Sequence, residues 1–148
     1  FAEAGITLLC LDHVDLYEYD LRVYGSPLTP RMRGNYGVTP QRAPYFWDKV
    51  GKCDILVTHP PPLFFNDYIP KEAEHAGCSA VLKYIQEKQP ALHICGHIHE
   101  GYGVSLIGDT VSVNSAVLNG RYQPTNAPWM ITLREKKVVS VKPLTSEY

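Results

Sequence analysis

A chain of 148 residues, 45% apolar and 20% charged, with a formal charge of −1, is long enough for one domain with a real core and gives no reason for a second. That charge balance excludes a general electrostatic pull toward nucleic acid or an anionic membrane, so any phosphate recognition must be local. No apolar run approaches the ~20 residues that cross a bilayer, and the start lacks a basic stretch followed by an apolar signal core; a cytoplasmic setting is expected. The chain opens on Phe1, which reads as the start of an excised or processed piece.

In chain order, Ile6 to Leu11 is an apolar run of the kind that forms a strand buried on both faces. Leu16 to Tyr24 alternates and reads as a strand or hairpin arm. From Gly25 to Pro40, prolines and glycines among polar residues predict a long irregular loop, and such loops are often functional. Ala43, Phe46, Trp47 and Val50 share the i, i+3, i+4, i+7 spacing of a short amphipathic helix, with Pro44 in its first turn. Cys53 to Thr58 is a buried strand that runs into His59-Pro60-Pro61-Pro62. A second helix follows Gly77, with Cys78, Val81, Leu82 and Ile85 on one face and Lys83, Glu87 and Lys88 on the other, ended by Pro90. Ala91 to Cys95 is another strand with a histidine-bearing loop at its carboxyl end. Gly103–Ile107, Thr110–Asn114, Met130–Leu133 and Val138–Val141, separated by Gly-Asp, Asn-Gly and Glu-Lys-Lys turn signals, predict a mostly antiparallel sheet.

The chemistry-bearing residues are histidines. Taken alone, His97-Ile98-His99 between Gly96 and Gly101 is a weak signal, because such pairs are more often ordinary loop histidines. His59 changes the balance: with His97 and His99 it stands on two successive strand-to-loop corners, where open α/β sheets bind ligands. Three converging neutral imidazoles suit borderline ions such as Mn, Fe or Zn better than Ca²⁺. His93, flanked by apolar residues, reads as a core or supporting position, and His75 as a solvated surface residue. Asp12-His13 is adjacent on a strand, which aims the two side chains at opposite faces. Cys10, Cys53, Cys78 and Cys95 form no C-x-x-C pair and are expected as small buried hydrophobes in a reducing compartment.

Asp54-Ile55-Leu56-Val57-Thr58-His59-Pro60-Pro61, Gly96-His97-Ile98-His99-Glu100-Gly101-Tyr102-Gly103 and Gln123-Pro124-Thr125-Asn126, in this order, resemble the later motifs of the calcineurin-like metallophosphoesterases. With Tyr24-Gly25-Ser26-Pro27 and Pro70-Lys71-Glu72, the likeness narrows to the small metallophosphoesterase-domain-containing proteins and covers nearly the whole chain. It implies an α/β fold, the carboxyl-terminal portion of a calcineurin-like α/β/β/α sandwich, as a single domain over 1–148. It also implies a metal-dependent hydrolase of phosphoric esters with two divalent ions, Mn, Fe or Zn. His59 and His97 would bind one ion and His99 the other, with Glu100, Tyr102 and Asn114 contacting substrate or supporting the site.

The family's earlier motifs, an Asp-x-His, a Gly-Asp and a Gly-Asn-His, have no counterpart in this sequence. The resemblance places Asp12 and His13 in an ordinary strand, and the nearest look-alike, Gly34-Asn35-Tyr36, carries tyrosine where the family has histidine. The chain therefore reads as lacking the amino-terminal half of its domain, able to hold one ion weakly or none. The expected ligand is a small phosphoester or nucleotide, with self-association through an uncovered sheet and no membrane or general nucleic-acid partner. The competing reading is a catalytically inactive binding module of the same fold.

Overall fold

In the computed structural model of the chain, which describes residues 2–30, 34 and 36–144, the apolar runs pair into one mixed sheet whose parallel strands end on a common rim. After a 3-10 turn at Ala2–Ala4, β1 (Asp12–Leu16) and β2 (Leu21–Ser26) form an antiparallel hairpin around a second 3-10 turn at Tyr17–Tyr19. Within the following loop, β3 (Thr29–Pro30) and β4 (Gly37–Val38) make a short parallel ladder. Then come α1 (Ala43–Trp47), β5 (Ile55–Thr58) and the small hairpin of β6 (Tyr68–Ile69) with β7 (Glu74–His75). The chain continues through α2 (Ser79–Lys88), β8 (Leu92–Cys95), β9 (Gly103–Ile107) and β10 (Thr110–Asn114), and closes with β11 (Trp129–Arg134) and β12 (Lys137–Pro143).

The six-stranded sheet has the order β1-β2-β5-β8-β10-β9. Its centre is parallel, with β2 against β5, β5 against β8 and β8 against β10, while both outer pairs are antiparallel. The two crossovers carry α1 and α2 onto one face, where Leu56 of the sheet packs with Ala43, Trp47, Val81, Tyr84 and Ile85. Helix α2 ends because Gln89 adopts a left-handed conformation, φ 48°, just before Pro90. The Gln89 side chain then donates to the Ile85 carbonyl at 2.9 Å and accepts from the Asp109 amide at 2.7 Å. That one residue stops the helix and fixes the β9–β10 turn.

Several expectations need correction. The Ile6–Leu11 run forms no strand: Ile6 is 54% and Leu8 63% exposed, and the sheet edge is taken instead by the charged β1. Cys10 is consequently exposed, whereas Cys53, Cys78 and Cys95 are buried; all four are free thiols. The last four strands are not one antiparallel sheet. β9 and β10 extend the parallel sheet, and only β11 and β12 stand apart as a two-stranded ribbon. A turn signal between alternating segments reports a hairpin but not which sheet the hairpin joins. Asn35 lies outside the described residues.

The ribbon is tied to the sheet near both of its ends: the Trp129 indole donates to the Asn114 carbonyl at 3.3 Å, and the Lys136 ammonium lies 3.0 Å from Asp20 and 3.7 Å from Asp54. Strand alternation puts Val57, Val104 and Leu106 on the sheet face away from the helices, and these stay 36%, 42% and 68% exposed. Among the described residues, no helix is long and apolar enough to cross a membrane.

Beneath the rim a polar row crosses the buried helix-facing side of the sheet. His93, 0% exposed, lies 2.8 Å from the Thr58 hydroxyl through Nε2 and 2.8 Å from the Ser112 hydroxyl through Nδ1. Thr58 has a single proton and gives it to the Pro60 carbonyl at 2.6 Å. It therefore accepts from Nε2–H, leaving Nδ1 to accept from Ser112; this assigns the neutral tautomer.

Burial lowers the His93 pKa to about 3, from an ordinary 6.5. Below pH 6.5 the unfolded chain takes up a proton that the folded chain refuses, so stability falls as the pH falls. The expected slope from this residue is about 1.4 kcal/mol per pH unit, a loss of about 2 kcal/mol by pH 5. Urea denaturation at pH 7 and pH 5 measures it, and an unchanged unfolding free energy would contradict the assignment.

Candidate functional site

The site begins where the parallel ladder runs one residue past β5. The His59 amide donates to the Ser26 carbonyl at 3.2 Å and its carbonyl accepts from the Gly96 amide at 3.1 Å, so the backbone bearing the first imidazole is held from both neighbouring strands. Three prolines then stiffen the exit. Across the rim, β8 ends at Cys95, and Gly96 leads into a tight turn in which the Ile98 amide reaches back to the Gly96 carbonyl at 2.8 Å. His97 is the central residue of that turn, at φ +67°. This is the positive-φ γ-turn, a rare and strained conformation for a residue with a side chain.

The strain aims His97 back at His59. The His59 Nε2 and His97 Nδ1 atoms lie 3.0 Å apart, with ring centroids at 4.6 Å. Two nitrogens at bonds of ~2.1 Å to one ion lie roughly 3.0–3.4 Å apart for octahedral or tetrahedral angles. The pair fits one divalent ion. Burial lowers the pKa of His59; burial, followed by the charges of His59 and His99, lowers that of His97. Both are therefore neutral near pH 7, the form that offers a lone pair to a metal.

His99 opens a single 3-10 turn, His99–Gly101, and is turned elsewhere: its ring meets Tyr122 edge-on at 4.8 Å. Thus two of the three sequence-predicted histidines come together and the third stands beside them. Among the described residues, no group of three or more His, Cys, Asp or Glu side chains is gathered to hold a metal.

The remaining candidates support this loop. Asn114, fully buried at the end of β10, donates to the Ile98 carbonyl at 2.9 Å and the Asn66 carbonyl at 3.1 Å, and accepts from the Ala116 amide at 3.1 Å. Asn66 returns a bond to the Gly101 carbonyl at 3.0 Å and receives one from Ser105. A Cβ on Gly101 would land on the Asn66 carbonyl, so glycine is required by the close approach of these loops. Tyr102 stacks on Trp129 at 4.9 Å and donates to the Ala127 carbonyl at 2.7 Å, while Glu100 is exposed beside Gly120.

Other residues were not legible as parts of the site. The buried carboxylate of Asp67 accepts from the Phe64 amide at 2.9 Å, the Gly77 amide at 3.0 Å and His75 Nδ1 at 2.6 Å, closing the loop after the prolines. His75 is thus paired and lies between Phe64 and Tyr68, each 5.1 Å away, which corrects its reading as a merely solvated residue. Asp12 and His13 share β1, yet their side chains do not diverge as expected: the Asp12 carboxylate accepts from the His13 amide at 2.7 Å and lies 3.5 Å from His13 Nδ1. Asn119-Gly120, expected as a hairpin turn between strands, instead organises a loop that sets Tyr122 against His99.

With this geometry in hand, comparison with known proteins is informative. No family model matches the chain. It is 44% identical over 117 residues, 76% of its length, to metallophosphoesterase domain-containing protein 1 of Homo sapiens and equally to that of Mus musculus, covering 36% of each. It is 30% identical over 115 residues to UPF0046 protein T07D4.2 of Caenorhabditis elegans, covering 28% of it. Among solved structures, one crystal structure superposes over 78% of the chain and 48% of its own length at TM-score 0.61 and 22% identity. The crystal structure of TT1561 of Thermus thermophilus superposes over 93% of the chain and 59% of its own length at TM-score 0.54 and 14% identity, a likeness of fold alone. The chain spans about a third of the length of the curated relatives it matches, and within that span it belongs to the metallophosphoesterase-domain-containing proteins, a phosphoesterase-type family with an α/β fold.

Proposed function

We propose that this chain supplies one side of a metal-dependent centre that hydrolyses phosphoric esters. His59 and His97 hold one divalent ion of the Mn, Fe or Zn type, and His99 is the ligand this chain offers to a second. The observation that carries the reading is the pair of neutral imidazoles with ring nitrogens 3.0 Å apart on a strained turn. A bound ion would supply Lewis-acid polarisation of a phosphoryl oxygen. The residues of this chain do the positioning: Ser26 and Gly96 fix the His59 backbone, the γ-turn aims His97, and Asn114 anchors the Ile98 carbonyl behind it.

Among the described residues only two of these side chains converge, so a single ion held weakly is the expected state of this chain by itself, with slow turnover or none. The same observation favours a second reading, a module of this fold that binds a partner without catalysis. The free thiols fit a reducing compartment such as the cytosol; fractionating cells that express a tagged protein would reveal any other location.

Calorimetric titration of metal-stripped protein with Mn²⁺ separates the two readings. The enzyme reading expects binding that His59→Ala and His97→Ala each abolish while the melting temperature stays within a few degrees. Retention of Mn²⁺ affinity in both variants would remove these residues from the site, and no binding by the parent chain would favour the module. A second expectation concerns support of the loop: Asn114→Ala takes the side-chain donor from the Asn66 carbonyl and the acceptor from the Ala116 amide, and leaves the Ile98 carbonyl only the Gly101 amide, costing about 2 kcal/mol of stability. Urea denaturation reads the cost, and the Mn²⁺ titration should show a weakened site.

A further inference from the structure

We infer that the cleft beside the histidines is a subsite for a second anionic group, so that the substrate is a phosphoester carrying another phosphate or carboxylate. This rests on the metal-centre reading above and names the substrate class for it. The cleft, a cavity of about 360 Å³, is lined by Pro70, Lys71, Glu100, Asn119, Arg121 and their neighbours. Two cations therefore face one carboxylate. Among the described residues neither the Lys71 ammonium nor the Arg121 guanidinium has an ion-pair partner, so neither charge is already engaged by a carboxylate.

The wall of the cleft is built to be rigid. Asn119 accepts the Arg121 and Gln123 amides on its side-chain oxygen at 2.8 and 3.1 Å, and its side-chain amide donates to Gln123 and Thr125 at 3.2 and 3.0 Å. Backbone bonds run from the Asn119 amide to the Gln123 carbonyl and from the Tyr122 amide to the Asn119 carbonyl. Asn126 then ties the loop to the Ala116 and Leu118 carbonyls. Such over-determination holds Tyr122 at φ +59°, a conformation costly to a residue with a bulky side chain.

The loop joins the cleft to the histidines. Tyr122 touches His99, and Arg121, next to it, lines the cleft; Glu100, next to His99, lines it from the other side with its carboxylate against Gly120. A Cβ at Gly120 would meet that carboxylate at 2.7 Å, so glycine leaves the space Glu100 occupies. A guanidinium and an ammonium bind phosphate or carboxylate oxygens through charge-assisted hydrogen bonds, and the bonded loop fixes the backbone from which Arg121 reaches. Glu100 offsets one of the two charges and accepts a hydroxyl on the linker between the anionic groups.

The test is calorimetric titration of the chain in Mn²⁺ with propane-1,3-diyl bisphosphate and with propyl phosphate, repeated on Arg121→Ala and Lys71→Ala. The expected result is a bisphosphate affinity roughly tenfold or more above that of propyl phosphate, falling to about parity in each variant. Equal affinities in the parent chain, or a preference untouched by Arg121→Ala, overturn the subsite while Mn²⁺-dependent binding of propyl phosphate leaves the metal centre standing. Arg121-dependent binding of bisphosphate without Mn²⁺ uptake supports the cleft and overturns the metal centre. Absence of binding by both phosphates overturns the two together.

Discussion

Everything at the rim depends on the row Thr58–His93–Ser112, which pins three parallel strands in register from inside the sheet. Parallel strands of four or five residues with short apolar side chains have little else to fix their relative slide, and a shift by one residue would exchange their faces. One hydrogen bond donated by a buried imidazole and one accepted by it remove that freedom. Because Thr58 spends its proton on the Pro60 carbonyl, the same row also sets the first proline bond after His59. Register inside the sheet thereby becomes geometry at its edge.

From that fixed edge the site is assembled by backbone groups more than by side chains. Ser26 and Gly96 hold His59 from either side, the Gly96 carbonyl closes the turn around His97, and the Ile98 and Gly101 carbonyls are caught by two asparagine side-chain amides. Apart from the bond that closes the His97 turn, each contact joins segments far apart in sequence, and the close approach at Gly101 leaves no room for a side chain. The loops belong to the rigid part of the molecule, as catalytic and binding geometry demands.

Much of this was legible in the sequence because it is periodic. The buried strands around Leu56 and Ile94, the helix faces carrying Val81 and Ile85, and the histidines at strand ends follow from side-chain alternation, helical spacing and position after an apolar run. What escaped is what periodicity does not encode. Ile6–Leu11 has the composition of a strand but no partner to pair with, so it stays exposed. The β9–β10 hairpin and the β11–β12 ribbon read alike as alternating segments, yet join different sheets. Asp67, Asn66 and Asn119 look like ordinary loop polar residues; their importance lies in the carbonyls and amides that the fold brings to them. The His99 ring lies edge-on against Tyr122, a contact between separate loops that no spacing rule reports.

The γ-turn at His97 sets folding and chemistry against each other. A left-handed backbone at that position favours glycine, which adopts it without a clash between Cβ and the chain. Judged by folding alone, the imidazole is the wrong residue there, and its presence is a concession in stability rather than a contribution to it. At position 97 glycine would suit the backbone better than histidine, so tolerance of that turn to drift is set by what the imidazole contacts, His59 first among them.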